Sequence, residues 1–225
     1  MKCKLIFLFW YFIGHINAQN ADSVIIKKVD SLIQISRKLT ASGDFELAMS
    51  ISNNAENLAL NSLGGESYTY INCITNHARV LYLSKEVSES ISWYEKAKSI
   101  REKVDGKNNP DFANILAALA ISYEDIGNFE KAEVNYVEAL EIRRNTLGHD
   151  NPRYANSLNN LALFYVKIGK YALAEPLYVE AISVRKKVLG TQHPDYLQVL
   201  HNLGILYKVT ARYLDAEKLY LEAKE

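Results

Sequence analysis

The chain has 225 residues, 48% of them apolar and 23% charged, with 26 basic side chains against 26 acidic ones. Four prolines and ten glycines exclude a linker-rich or low-complexity chain. A formal charge of zero leaves no electrostatic footprint for nucleic acid or an anionic membrane.

Residues 1–18 read as a secretory signal peptide. Met1-Lys2-Cys3-Lys4 is a basic start, Leu5 to Ile13 is an unbroken apolar run, and Ala18 supplies a small residue for cleavage near Ala18-Gln19. Nine apolar residues are too few to span a hydrocarbon core, which takes about 20 as helix. The expectation is therefore an exported chain, periplasmic or secreted, with no stable membrane span after cleavage. The Ala18-Gln19-Asn20 junction resembles that of exported bacterial proteins. Removal of Lys2 and Lys4 leaves 24 basic against 26 acidic side chains, a net of −2. Cys73 is then the single cysteine, without an internal disulfide partner, and reads as a small buried apolar residue.

Residues 19–225 read as a repeat array. Pro110, Pro152 and Pro194 stand 42 residues apart, as do Tyr94, Tyr136, Tyr178 and Tyr220, and Ala97, Ala139, Ala181 and Ala223. Such a period means stacked small units, none of which can bury its apolar face alone. The units run over about 25–66, 67–108, 109–150, 151–192 and 193–225, the last incomplete. Within the fourth, Leu158, Leu161, Ala162 and Tyr165 form one helical stripe, and Leu173, Ala174, Leu177, Tyr178, Ala181 and Ile182 form a second. Between them stands Gly169, in a turn column with Gly43, Lys85, Gly127 and Ala211; Gly169 and Gly127 suit the left-handed backbone that ends a helix and admits a tight turn. Each unit is thus predicted to be an antiparallel helix pair. Asn151-Pro152 and His193-Pro194 start new first helices, with proline in the first turn and His193 capping. Pro176 falls inside a predicted second helix and should bend its first turns slightly.

The columns Leu116, Leu119, Ala120, Tyr123, Ala132, Tyr136 and Ala139 fall at the spacing of the tetratricopeptide repeat signature. Leu158 to Ala181 and Leu200 to Ala223 repeat the match. With eight extra residues per unit, Arg185 to Gly190, His193-Pro194 and Ser157 to Ala162 resemble the 42-residue subtype found in kinesin light chains. The resemblance covers about residues 25–225 and implies an all-α fold, an α-solenoid forming a right-handed superhelix of about five helix-turn-helix repeats. The export signal departs from kinesin light chains, so no motor-cargo role is implied.

No catalytic constellation is present: there is no phosphate-binding glycine loop, no His-Glu-x-x-His, no Cys-x-x-Cys and no nucleophile elbow. The expectation is a non-enzyme with no cofactor and no metal. His77 and His201 read as packing or groove residues. The resemblance implies a concave face, lined by the first helices, that holds a protein or peptide ligand. The matching columns contain Asn72, Asn114, Asn156 and Gln198; then Asn159 and His201; then Asn160 and Asn202. Carboxamides offer peptide backbone both donors and an acceptor. Beside them runs Arg79, Ile121, Leu163 and Ile205, suited in part to apolar side chains. Basic residues there are few (Arg79, Lys167 and Lys208), which argues against a clamp for a terminal carboxylate. Two alternatives accompany the scaffold reading. The array could be the sensory arm of a larger protein, whose caspase-like protease, signalling kinase or transcription module would follow residue 225. It could also self-associate through an uncapped C-terminal repeat.

Overall fold

A computed structural model describes the backbone of residues 2–223 and the side chains of residues 21–223. The signal segment expected over residues 1–18 lies outside the residues described with side chains. The described residues form α-helices in antiparallel pairs and no strand. The pairs are α1 (Lys2–Ala41) with α2 (Phe45–Leu63), and α3 (Tyr68–Leu83) with α4 (Val87–Asp105). They continue with α5 (Pro110–Asp125) and α6 (Phe129–Leu147), α7 (Pro152–Lys167) and α8 (Tyr171–Leu189), and α9 (Pro194–Val209) and α10 (Tyr213–Glu222). The fold is an α-solenoid of about five such pairs. Contacts divide the chain into two compact units, Met1–Val104 and Asp105–Glu225.

Side-chain chemistry at the boundaries explains where the helices start and stop. The Asn109 carboxamide oxygen accepts from Phe112 N at 2.8 Å, and Asn151 accepts from Arg153 N at 2.9 Å. His193 takes the same place and accepts from Asp195 N through Nδ1 at 3.1 Å, the capping role expected of it. Proline follows all three caps in the first helical turn, where no N–H is needed. Pro176 sits inside α8, which runs unbroken from Tyr171 to Leu189.

Small residues decide how closely the helices approach. Ala120, Ala132, Ala139, Ala162, Ala174 and Ala181 are all buried. Tyr136 and Tyr178, on α6 and α8, fill the space those alanines leave. At the equivalent of Ala120 and Ala162, α9 carries Gly204, where an added Cβ would stand 2.6 Å from the Tyr220 ring. The core of the second unit also includes Phe112, Leu116, Leu119, Leu158, Leu161, Phe164, Val199, Leu200, Leu203 and Leu206. Polar bonds tie consecutive pairs. Glu133 of α6 accepts from Tyr165 Oη at 3.0 Å and from Lys170 Nζ at 2.8 Å. One period later, Glu175 accepts from Tyr207 Oη at 2.9 Å and Arg212 Nη1 at 2.8 Å. Burial and the Glu133 carboxylate push the Tyr165 hydroxyl up to about 12.

The first unit packs α1 against α2 and α3 around Val29, Ile33, Ala48, Ala55, Ile71 and Ile74. Its core contains polar groups where the second unit is aliphatic. His77 occupies the column of Leu119, Leu161 and Leu203, stacks on Trp93 with ring centroids 4.1 Å apart, and places Nδ1 3.2 Å from Glu56 Oε2. Glu56 stands where the second unit has Leu140 and Ile182. Tyr70 Oη donates to it at 3.4 Å, and Lys96 Nζ lies 3.8 Å away. Burial alone would raise the Glu56 pKa, but His77, Lys96 and the Tyr70 hydroxyl outweigh it and hold the carboxyl below its ordinary value. Cys73 is buried, as expected, and desolvation aided by Glu56 and Asp30 lifts its thiol to about 12, which keeps it protonated and unreactive.

The turn column carries positive φ throughout, and two of its members are not glycine: Lys85 at 75° and Ala211 at 60°. An L side chain is strained there. Lys85→Gly and Ala211→Gly should each stabilise the fold by about 0.5–1 kcal/mol, and Gly127→Ala should destabilise it by a similar amount. Urea titration checks this, and unchanged midpoints in all three variants would remove turn strain from the account. The depressed Glu56 pKa gives a second expectation. Stability from this carboxylate is fully present above the ordinary glutamate pKa and is lost as pH falls through the lower folded value. Glu56→Gln should therefore flatten the acid limb of a stability profile below the ordinary glutamate pKa. A limb as steep as the parent's would place the acid sensitivity elsewhere.

Candidate functional site

One exposed face of the first helices is built by regular spacing. In the second unit, Asn114 (α5), Asn156 (α7) and Gln198 (α9) occupy one exposed column. Leu163 and Ile205, 43% and 39% exposed, form an aliphatic column beside it, with Ile121 half-buried in line. His201 is exposed and its ring lies 5.6 Å from that of Tyr220. In the first unit, Asn72 of α3 is exposed at the matching position.

Three of the expected residues sit deeper. Asn159 is only 4% exposed, and its Oδ1 accepts from Nδ2 of the half-buried Asn202 at 2.9 Å, which joins α7 to α9. Asn160 is half-buried. In the second unit the structure thus separates an outer layer, Asn114, Asn156, Gln198 and His201, from an inner one, Asn159, Asn160 and Asn202. The geometric reason is helical: residues three and four apart share a face, but only part of that face is clear of the neighbouring first helix.

A second column of functional interest comes from the second helices. Arg143 and Arg185 stand one period apart and are buried. Arg143 Nη2 donates to Asn114 Oδ1 at 2.8 Å and Nη1 to Ser157 Oγ at 2.5 Å. Arg185 Nη2 donates to Asn156 Oδ1 at 2.8 Å, while Nη1 donates to the Asp195 carbonyl. A guanidinium has donors only, so each asparagine must turn its oxygen inward and its NH2 outward. Asn114 Nδ2 lies 3.5 Å from Asp111 Oδ1. Burial holds both arginines below their ordinary pKa, and Arg153 adds to the effect at Arg143. The spacing of 42 residues, shared with Arg101, is the sequence signal that marks this column.

Among the described residues, no group of three or more His, Cys, Asp or Glu side chains could hold a metal ion, and no helix is long and apolar enough to cross a membrane.

A family model described as tetratricopeptide repeat matches residues 70–145, 111–187 and 153–225. No curated protein matches the chain. Solved structures do. A structure of nearly identical TPR-like repeats of a Podosopora anserina kinesin light chain is 20% identical, covers 88% of this chain and 94% of its own, and has a TM-score of 0.77. BtubC (BKLC) from P. vanneervenii is 24% identical, with 89% and 80% covered and a TM-score of 0.80. PilF of Pseudomonas aeruginosa is 19% identical, with 88% and 76% covered and a TM-score of 0.65. These likenesses establish the fold.

The buried arginines make the outer asparagines part of the framework. Asn156→Ala should cost about 1–2 kcal/mol, because it leaves a buried guanidinium N–H without its acceptor, whereas Gln198→Ala in the same column should be nearly neutral. Thermal or urea unfolding separates the two, and equal effects would mean that the Arg185–Asn156 bond contributes nothing.

Proposed function

Because the chain belongs to the tetratricopeptide repeat family, we propose that it is a non-catalytic scaffold that binds peptide segments of partner proteins on the concave face of its first helices. The observation that carries this reading is the outer layer of the second unit. Carboxamides of fixed orientation at Asn114 and Asn156 run beside exposed aliphatic side chains at Leu163 and Ile205. An extended peptide offers complementary groups: backbone carbonyls for the outward NH2 groups, and alternate side chains for the aliphatic column. Gln198 and His201 extend the same face on α9. In the first unit Asn72 is exposed at the matching position of α3, and in the second the inner pair Asn159 and Asn202 joins α7 to α9.

Export belongs to the same proposal. It rests on the basic start, the apolar run Leu5 to Ile13 and the small residue at Ala18. Self-association is a further part, supported by Tyr213, Leu214 and Leu221 on α10, which are 64%, 74% and 56% exposed.

A random dodecapeptide display library supplies a probe for the face. Peptides enriched on the parent protein should bind Leu163→Glu/Ile205→Glu at least about tenfold more weakly by fluorescence anisotropy, since each charge desolvates poorly against an apolar side chain. Both positions are exposed, so the melting temperature should hold. Undiminished binding to the folded double variant would place the ligand on another surface.

A further inference from the structure

Each second helix of the second unit is bridged to the turn that opens the next one. Glu133 of α6 accepts from Lys170 Nζ at 2.8 Å, and Glu175 of α8 accepts from Arg212 Nη1 at 2.8 Å. In the first unit the same register puts Met49 of α2 in the carboxylate column and Glu86, just before α4, in the cation column. This seam therefore has no bridge, and the place of the cation is taken by an anion.

What the missing bridge leaves open is a groove of about 540 Å3 between α2 and the turn from α3 to α4. Phe45 and Met49, both half-buried, supply its apolar surface. The walls have changed in the other direction. Ser50 of α2 stands where α6 and α8 have Val134 and Pro176, and Asn53 where they have Val137 and Val179. Ser84 takes the place of Ile168 and Thr210. Glu46 and Glu86 complete the rim, both exposed, and the Ser84 hydroxyl lies 3.0 Å from Glu86 Oε1 and holds that oxygen. No basic side chain lines the groove, and neither carboxylate has a cationic partner among the described residues.

Such a site has the wrong sign for an anion and too many acceptors for an apolar side chain. An apolar floor covers the methylene stem of a long basic residue, and an aromatic ring favours a cation held against it. The acceptors, two carboxylates with a hydroxyl and a carboxamide oxygen between them, outnumber the donors of an ammonium and suit the planar fork of a guanidinium. We propose that this groove binds an arginine side chain of a partner protein. Glu86 and Glu46 neutralise the guanidinium, Ser50 and Asn53 take its remaining N–H groups, and Phe45 and Met49 pack on the stem. The partner thus supplies from outside the cation that the second unit supplies from its own turns. The groove lies on α2 and the turn before α4, apart from the exposed columns of the first helices, and does not depend on their reading as a peptide site.

The test uses the full chain and three probes: acetyl-Ala-Arg-Ala-amide, its lysine counterpart, and its citrulline counterpart, which keeps the shape of arginine without the charge. Met49 is one of two methionines in the chain, so a carbon-13 methyl label on methionine reports occupancy of the groove by NMR. At constant ionic strength the arginine probe should shift the Met49 methyl saturably, the lysine probe should bind more weakly, and the citrulline probe should leave the signal in place. Glu46→Gln and Glu86→Gln, both surface changes, should each weaken the arginine probe about tenfold. Glu86→Lys, which restores the sign found at Lys170 and Arg212, should abolish binding with the melting temperature unchanged. Non-saturable shifts, an equal response to citrulline, tighter binding of lysine, or full affinity in Glu86→Gln would overturn the proposal. Neither Leu163 nor Ile205 takes part in this readout, so the fate of the first-helix face is decided separately.

Discussion

Close approach of helices at small residues is the constraint from which the rest of the structure follows. Ala48, Ala55, Ala97, Ala120, Ala132, Ala139, Ala162, Ala174 and Ala181 are all buried, and each marks a place where two backbones come near. An isolated pair held this way has one uncovered flank, since its apolar stripe is wider than one partner helix can cover. The large residues of the next first helix, Tyr154 and Leu158 or Tyr196 and Leu200, cover that flank. The alanines fix the distance, the aromatic and branched residues fill what remains, and the period of 42 is preserved because both sets recur at fixed offsets.

Polar groups then have to fit into a dry seam. Tyrosines are well suited, because their rings bury while their hydroxyls reach a carboxylate at the rim. Tyr165 with Glu133 and Tyr207 with Glu175 do this one period apart, and Lys170 and Arg212 neutralise the same two carboxylates. Arg143 and Arg185 solve the opposite problem, a cation inside, by donating to Asn114 and Asn156. The same bonds that satisfy the arginines also orient the asparagines on the outer face. Framework and proposed binding surface are therefore coupled through single hydrogen bonds.

The sequence makes the architecture legible because the constraint is periodic. The turn column, the alanine columns and the Asn-Pro and His-Pro starts predict every turn and every first helix from α5 onward, and the Lys85 and Ala211 turns follow from register despite lacking glycine. Helical spacing also places Asn114, Asn156, Gln198 and His201 on an exposed face. It does not separate them from Asn159, whose burial depends on how near α9 comes to α7, a distance between helices that no spacing along one chain encodes. Arg143 and Arg185 are missed for a different reason. Charged residues at the end of a second helix read as solvated, and only the partner on the first helix, 29 residues earlier, shows that they are inside.

The first unit shows what a repeat does when its consensus is abandoned at a few points. His77 and Glu56 replace aliphatic residues, yet they arrive as a set with Tyr70, Trp93 and Lys96, so that each polar atom brought inside finds a neighbour of suitable charge or geometry. Ser36, Ser52 and Asn76 form a second such set, with Arg37 at its outer edge. Either set, introduced one residue at a time, would pass through a buried group without a partner, which costs on the order of 1–3 kcal/mol. A degenerate repeat that had simply drifted would show isolated losses: a cavity here, an orphaned hydroxyl there. Grouped replacements that contact one another instead indicate a second packing solution, in which aliphatic burial is exchanged for polar contact.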